Sequence, residues 1–154
     1  MNPLSLDPRL LRVSSTLTKD VKNFGKANMI DGKDETCWNS DTGTPQWIIY
    51  GPIASNNGEL TILESISLMF QGGFAGARCE LQTKQSEHEE WASLMFFTPK
   101  DSSALQTFAI KEPKARWLKC IFHTSSDPYG RIVVYQLTLN SLASPSESGN
   151  QIHQ

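Results

Sequence analysis

Basic runs, long apolar stretches and sustained helical periodicity are all missing from these 154 residues. Lys and Arg total 14 against 16 Asp and Glu, a net charge of −2, and the cations never cluster. A nucleic-acid binder concentrates basic residues on one face, and an anionic membrane surface asks for the same, so neither is an expected partner. No segment approaches the roughly 18 apolar residues of a membrane span. The opening, MNPLSLDPRLL, carries two prolines and an aspartate in place of a continuous apolar core, and is not expected to act as a secretory signal. Cysteine is scarce as well. Cys37, Cys79 and Cys120 are odd in number and far apart, with no C-x-x-C pair, which points to reduced thiols in a cytosolic or nuclear protein. No nucleophile, base and orienting group stand at motif spacing, and no phosphate-binding glycine loop follows a strand, so no catalytic residue is assigned.

Short apolar runs punctuated by glycine and proline take the place of long patterns. LESISLMF, residues 63–70, sets Ile66, Leu68 and Phe70 against Ser65, Ser67 and Met69, the two-residue period of a strand. RWLKCIF sets Leu118, Cys120 and Phe122 against Trp117, Lys119 and Ile121. RIVVYQLTL sets Val133, Tyr135, Leu137 and Leu139 against Ile132, Val134, Gln136 and Thr138. QWIIY, WASLMFF and LQTFAI read as further strands. With 38% hydrophobic and 19% charged residues, the chain has an ordinary globular balance for one domain. Evenly spaced short strands predict an all-β fold, an antiparallel β-sandwich or barrel. The expected organisation is an N-terminal arm at 1–11, a sandwich over 12–140, and a polar tail at 141–154 that lacks a core-forming pattern and is expected to be disordered. GPIASNNGE, residues 51–59, reads as a flexible excursion between strands.

IDGKDETCWNSD, residues 30–41, packs four carboxylates, a cysteine and a tryptophan into twelve positions. An EF-hand alternates oxygen-bearing residues before its glycine, whereas here Gly32 follows Asp31 directly. The run NMIDGKDETCWNSD followed by PQWIIY resembles the first signature of discoidin domains, the coagulation factor V/VIII type C family, on Asp31-Gly32, Thr36, Trp38 and Trp47. ARWLKCIF and YGRIVVYQLTL resemble the last two strands of the same family. The resemblance implies a galactose-binding-like jelly roll. RVSS, FGK, DETCWNSD, FQGGF, ALQTF and YGRIVVYQL further resemble a small intracellular branch of the family associated with an orphan nuclear receptor, from Arg12 to Leu139. That likeness implies a non-enzymatic protein that binds the receptor and keeps it off its DNA response element, in the nucleus and, as a second compartment, the cytoplasm. A glycan-binding module and an adaptor subunit of a larger complex are the alternatives that the fold also supports.

Family members hold calcium between this loop and the last strand. Mapped here, that implies the carbonyls of Asn28 and Lys33, the side chains of Asp31 and Thr36, and Gln136 where many relatives carry Glu. Gln136 offers an oxygen without charge, and calcium affinity rises with ligand charge. The other reading makes Asp31 and Thr36 the caps of a tight turn. Trp38 and Trp47 are expected in the core. Trp117, outward on its strand, is a candidate protein-binding residue or is partly covered by a neighbouring strand. Phe24, Phe74, Arg78 and Tyr129 fall on loops and are the other candidates for a protein-binding rim, against the plainer reading of solvated loops. EHEEW, residues 87–91, reads as a solvated acidic turn.

Overall fold

Alternation in LESISLMF becomes a strand covered on both faces. Leu63, Ile66, Leu68 and Phe70 have no exposed surface, and Ser65 and Ser67 on the opposite face are also buried. Their hydroxyls are satisfied laterally: Asn140 Nδ2 donates to Ser65 Oγ at 2.9 Å and to Ser67 Oγ at 3.3 Å, and Ser67 bonds the Thr107 hydroxyl at 2.8 Å. Burying hydroxyls is tolerable because they are paired. The computed structural model describes residues 2–54, 59–111 and 114–142. The 55–58 part of the expected flexible excursion and residues 143–154 of the expected tail lie outside them.

Among the described residues ten strands, numbered in chain order, form two antiparallel sheets. One sheet holds β1 (Asn2–Pro3), β10 (Val133–Ser141), β5 (Leu63–Phe70) and β8 (Leu105–Ala109) in that order, with β3 (Trp38–Asn39) also on β10. The other runs β2 (Leu11–Val13), β4 (Gln46–Tyr50), β9 (Trp117–Ser125), β6 (Gly76–Lys84) and β7 (Ala92–Phe97). The two inner faces meet in a core that includes Trp38, Phe70, Phe122, Leu118, Cys120, Leu137 and Leu139. Phe70 meets Phe122 edge-on at 5.8 Å, and Trp38 lies 6.4 Å from Phe122. The Trp38 indole N–H donates to the Ser15 carbonyl at 2.9 Å, which pays its polar cost inside the core. Each fully buried side chain of this size contributes about 1.5–3 kcal/mol. Among the described residues helical structure is limited to short turns such as α1 (Val21–Phe24), and no described helix is long and apolar enough to cross a membrane.

Strands β4 and β5 coincide with the runs read from the sequence, and the antiparallel sandwich is as expected. In β10 the expected faces are corrected. Val134 pairs with Phe70 while Gln136 pairs with Met69, so Tyr135 is an extra residue, a β-bulge. The inward set is therefore Ile132, Val134, Leu137 and Leu139, and Tyr135 is half-buried outside it. Residues 2–11 are tied into both sheets: Asn2 and Pro3 pair with Ser141 and Asn140, and the Leu4 N–H donates to the Leu139 carbonyl at 2.8 Å. The boundary expected after residue 11 falls inside β2, and Ser141, expected in the tail, ends β10.

Candidate binding surface

The Asp31 segment is a closed hydrogen-bonded turn. Asp31 Oδ1 accepts the Lys33 N–H at 2.9 Å and Oδ2 accepts the Thr36 hydroxyl at 2.5 Å. Desolvation opposes the carboxylate, but the Thr36 hydroxyl, the Lys33 amide and the Lys33 charge outweigh it and hold the carboxyl below its ordinary value. Asn28 Nδ2 donates to the carbonyls of Asn23 and Cys37, at 3.0 and 3.1 Å. Gln136 Nε2 donates to Asp34 Oδ1 at 2.7 Å, so its amide is engaged as a donor to a carboxylate. Calcium takes six to eight oxygen ligands and favours several charges. The expected set offers a single carboxylate, with both oxygens already accepting from protein donors, and fits the ion poorly. No group of three or more His, Cys, Asp or Glu side chains among the described residues is arranged for a metal.

At one end of the sandwich the loops brace one another. Gly73 N–H and the Ser126 hydroxyl both donate to Asp101 Oδ1, at 2.8 and 3.1 Å. Arg131 N–H donates to Asp127 Oδ2 at 3.0 Å, and the Arg131 guanidinium lies 4.7 Å above the Phe74 ring. Gly43 N–H donates to the Tyr129 carbonyl at 2.7 Å. A Cβ on Gly130, whose φ is +81°, would meet the Gly43 backbone at 2.8 Å, so this crossing requires glycine. Of the rim candidates, Phe74 and Tyr129 share this end. Tyr129 is 73% exposed, whereas Phe74 is half-buried beneath Arg131. Phe24 is half-buried at the end of α1.

Arg78 and Trp117 lie elsewhere, on the outer face of the β2–β4–β9–β6–β7 sheet. Trp117, Lys119, Ile121 and His123 alternate outward along β9, opposite the inward Leu118, Cys120 and Phe122. Register sets Trp47 beside Ile121, Ile49 beside Lys119, and Glu80 beside both Ile121 and Phe96. Lys84 Nζ sits 4.8 Å from the Trp91 ring and 5.5 Å from Trp117; Lys119 Nζ sits 5.3 Å from Trp47 and 5.8 Å from Trp91. Arg78 lies 5.2 Å over Phe96, whose other neighbour is the stacked His123 ring at 6.2 Å. His123 Nε2 pairs with Glu80 Oε1 at 2.8 Å. Burial opposes the Glu80 carboxylate, but hydrogen bonds from His123, Ser93 and Gln82 prevail and hold its pKa down.

Trp117 is outward, as the alternation of its strand predicts, and half-buried against Gly51, where a Cβ would collide with its ring. Trp47 corrects an expectation: it is half-buried on the outer face under Lys119, while Trp38 alone of that pair is in the core. Lys119 is legible in the sequence as the outward neighbour of Trp117, through the parity of the two. Nothing in the sequence brings Lys84, Trp91 and Phe96 to the same face, since the pairing of β6 with β9 and β7 does so. Cys79 and Cys120 cannot act as thiolates at neutral pH, since burial pushes Cys79 up to about 12 and Cys120 well above its ordinary value.

No protein-family model matches the chain. Similar proteins are known nonetheless. The nuclear receptor 2C2-associated protein of Danio rerio is 41% identical over 129 residues, 83% of this chain and 87% of the relative. Its counterpart in Homo sapiens is 36% identical over 126 residues, 82% of this chain and 86% of the relative. The chain belongs to the nuclear receptor 2C2-associated protein family. This bears out the resemblance of its sequence to discoidin proteins associated with an orphan nuclear receptor. Among solved structures, chitosan-binding module 1 from a Paenibacillus chitosanase/glucanase superimposes with TM-score 0.69 at 18% identity, covering 90% of this chain and 98% of the module. The family 32 carbohydrate-binding module of Clostridium perfringens NanJ, in complex with galactose, gives 0.68 at 13% identity, covering 90% and 97%. At such identities the likeness shows the fold alone, and this member of the nuclear receptor 2C2-associated family has the galactose-binding-like jelly roll.

Proposed function

We propose that the protein is a non-enzymatic binding module that associates with an orphan nuclear receptor and represses transcription by keeping the receptor off its DNA response element. Membership of a family named for association with nuclear receptor 2C2 carries the reading. Three features of the molecule support it. The carboxylates of Asp31 and Asp101 are engaged in a turn and a brace, burial raises the pKa of the core thiol Cys79, and Lys84 and Lys119 lie against outer-face tryptophan rings. An acidic chain without basic runs would act on the receptor rather than on DNA. The nucleus is the proposed compartment, with the cytoplasm as a second.

A gel-shift titration tests this, with labelled response element, nuclear receptor 2C2 and increasing amounts of the protein. The expected result is loss of the receptor–DNA band without any band from the protein and DNA alone. An unchanged receptor–DNA band, together with no capture of receptor by immobilised protein, overturns the reading. The fold of galactose-bound modules favours glycan binding as the second reading, and a glycan array probed with the same protein decides it.

A further inference from the structure

Charge is distributed unequally between the two sheets. The strands β2, β4, β9, β6 and β7 contain Arg12, Arg78, Lys84 and Lys119 and one carboxylate, Glu80. The strands of the other sheet contain no Lys or Arg and one carboxylate, Glu64. An overall acidic protein thus carries its strand cations on one sheet. The exposed Glu87, Glu89 and Glu90 are set apart on the turn between β6 and β7, where the Glu87 carbonyl accepts from Lys84 Nζ at 3.1 Å. Glu80 does not cancel these cations, being 7% exposed and turned to His123. Among the described residues none of Arg12, Arg78, Lys84 and Lys119 has a carboxylate within ion-pair distance; those ion pairs join Arg9 to Asp7, His123 to Glu80 and Arg131 to Asp127.

We propose that this outer face docks an acidic segment of a protein partner in which carboxylates alternate with apolar side chains. The clause that the partner is a protein rests on the functional reading above; the chemistry of the surface does not. Significant cation–π pairs occur about once per 70–80 residues. Here Lys84 and Lys119 each lie near two indoles and Arg78 lies over Phe96. The rings hold the charged groups in place and strip part of their water, which strengthens their attraction for an incoming carboxylate. Phe96, 53% exposed, and the indole edges supply apolar contact between the charges, the aromatic and cationic composition of interface hot spots. Nucleic acid fits less well. Sequence-tolerant strand binding needs open ring faces for base stacking, and the indoles here already carry the protein's own ammonium groups.

The four indole N–H groups provide the test, because Trp38 is sealed in the core and the other three lie on this face. Nitrogen-15-labelled full-length protein is titrated with a short synthetic peptide alternating glutamate and leucine, with a lysine–leucine counterpart, and with single-stranded oligothymidine. The glutamate peptide is expected to shift the Trp47, Trp91 and Trp117 indole signals, leave Trp38 in place, and weaken as salt is raised. Arg12→Glu with Arg78→Glu, both exposed, should weaken binding about tenfold or more, with Tm read alongside to show that the variant is folded. Lys119→Gln should weaken it with Tm nearly unchanged. Unmoved outer indoles, or tighter binding by oligothymidine or by the lysine peptide, overturns the proposal. The receptor gel shift separates the two readings. If wild type displaces receptor and the double Arg variant does so equally well, the docking face is wrong and the function stands. If wild type fails there, the function falls, and the peptide titration still decides the face.

Discussion

Asp31 shows how one side chain can read as a metal ligand in sequence and act as a clasp in structure. An aspartate before glycine, with threonine five residues on, is the pattern of both, because both exploit a short carboxylate aimed back at its own backbone. Distance decides between them: the Lys33 N–H and the Thr36 hydroxyl occupy the two oxygens. Asp31→Ala is therefore expected to cost about 1 kcal/mol, a Tm fall of about 3–5 °C, equally in excess calcium and in chelator. The folded carboxyl lies below its ordinary 3.8. Its contribution is accordingly complete above that pH and is lost as pH falls through the lower folded value, so wild type and variant should converge in acid. Gln136→Glu, which would strengthen a calcium site, should instead lower Tm in chelator by setting a second carboxylate against Asp34. A calcium-dependent rise in Tm that survives in wild type but vanishes in Asp31→Ala would restore the ion.

The end of β4 and the start of β9 meet on the outer face through a contact between backbone and ring. Trp117 lies on Gly51, where an added Cβ would run into the indole, 2.7 Å from Cγ, and also approach the Arg116 carbonyl at 2.8 Å. Gly51→Ala should cost about 1–3 kcal/mol through overpacking, and it should alter tryptophan fluorescence because the ring must leave its seat. Unchanged emission with unchanged Tm would show that the indole moves freely. The same elements show what was legible in the sequence. Regular alternation gave β4, β5 and the inward side of β9, since burial on one face forces a two-residue period. In β10 the period is broken at Tyr135, and a bulge leaves no mark in hydrophobicity, so strict alternation groups Val133 and Tyr135 with Leu137 and Leu139, whereas Ile132 and Val134 join those leucines in the core. β6 was missed because GARCELQTK has only Cys79 and Leu81 as inward apolar residues, with Gly76 admitting the Phe122 ring so closely that a Cβ would lie 2.5 Å from Cδ1. Loop candidates were found as types, but their grouping was not. Arg78 and Trp117 are strand residues that share a sheet face but stand at opposite ends of the β6–β9 ladder, where Arg78 pairs with Thr124 and Trp117 with Lys84.

At the scale of the whole molecule, three thiols sample two depths of the sandwich. Cys79 and Cys120 lie on adjacent strands of the same sheet, with 0% and 2% exposure, whereas Cys37 is half-buried just before β3. Desolvation raises all three above the ordinary thiol value, Cys79 to about 12. Slow chemistry is thus built into the native state twice, by the scarcity of thiolate and by the barrier of the packed sheets. Cys37 needs only a local opening of its turn. Cys79 and Cys120 need β6 and β9 to separate, and β9 is central, flanked by β4 and β6. A thiol reagent at neutral pH should label Cys37 from native protein and label Cys79 and Cys120 together, at a rate that follows the global unfolding equilibrium as denaturant is added. Mass spectrometry of digested samples along the time course reads the three sites separately. Cys79 reacting well ahead of Cys120 would mean that the β6–β7 edge opens on its own. That sheet would then be two units, and the face that carries Arg12 on β2, Lys119 on β9 and Arg78 and Lys84 on β6 would not be a rigid platform.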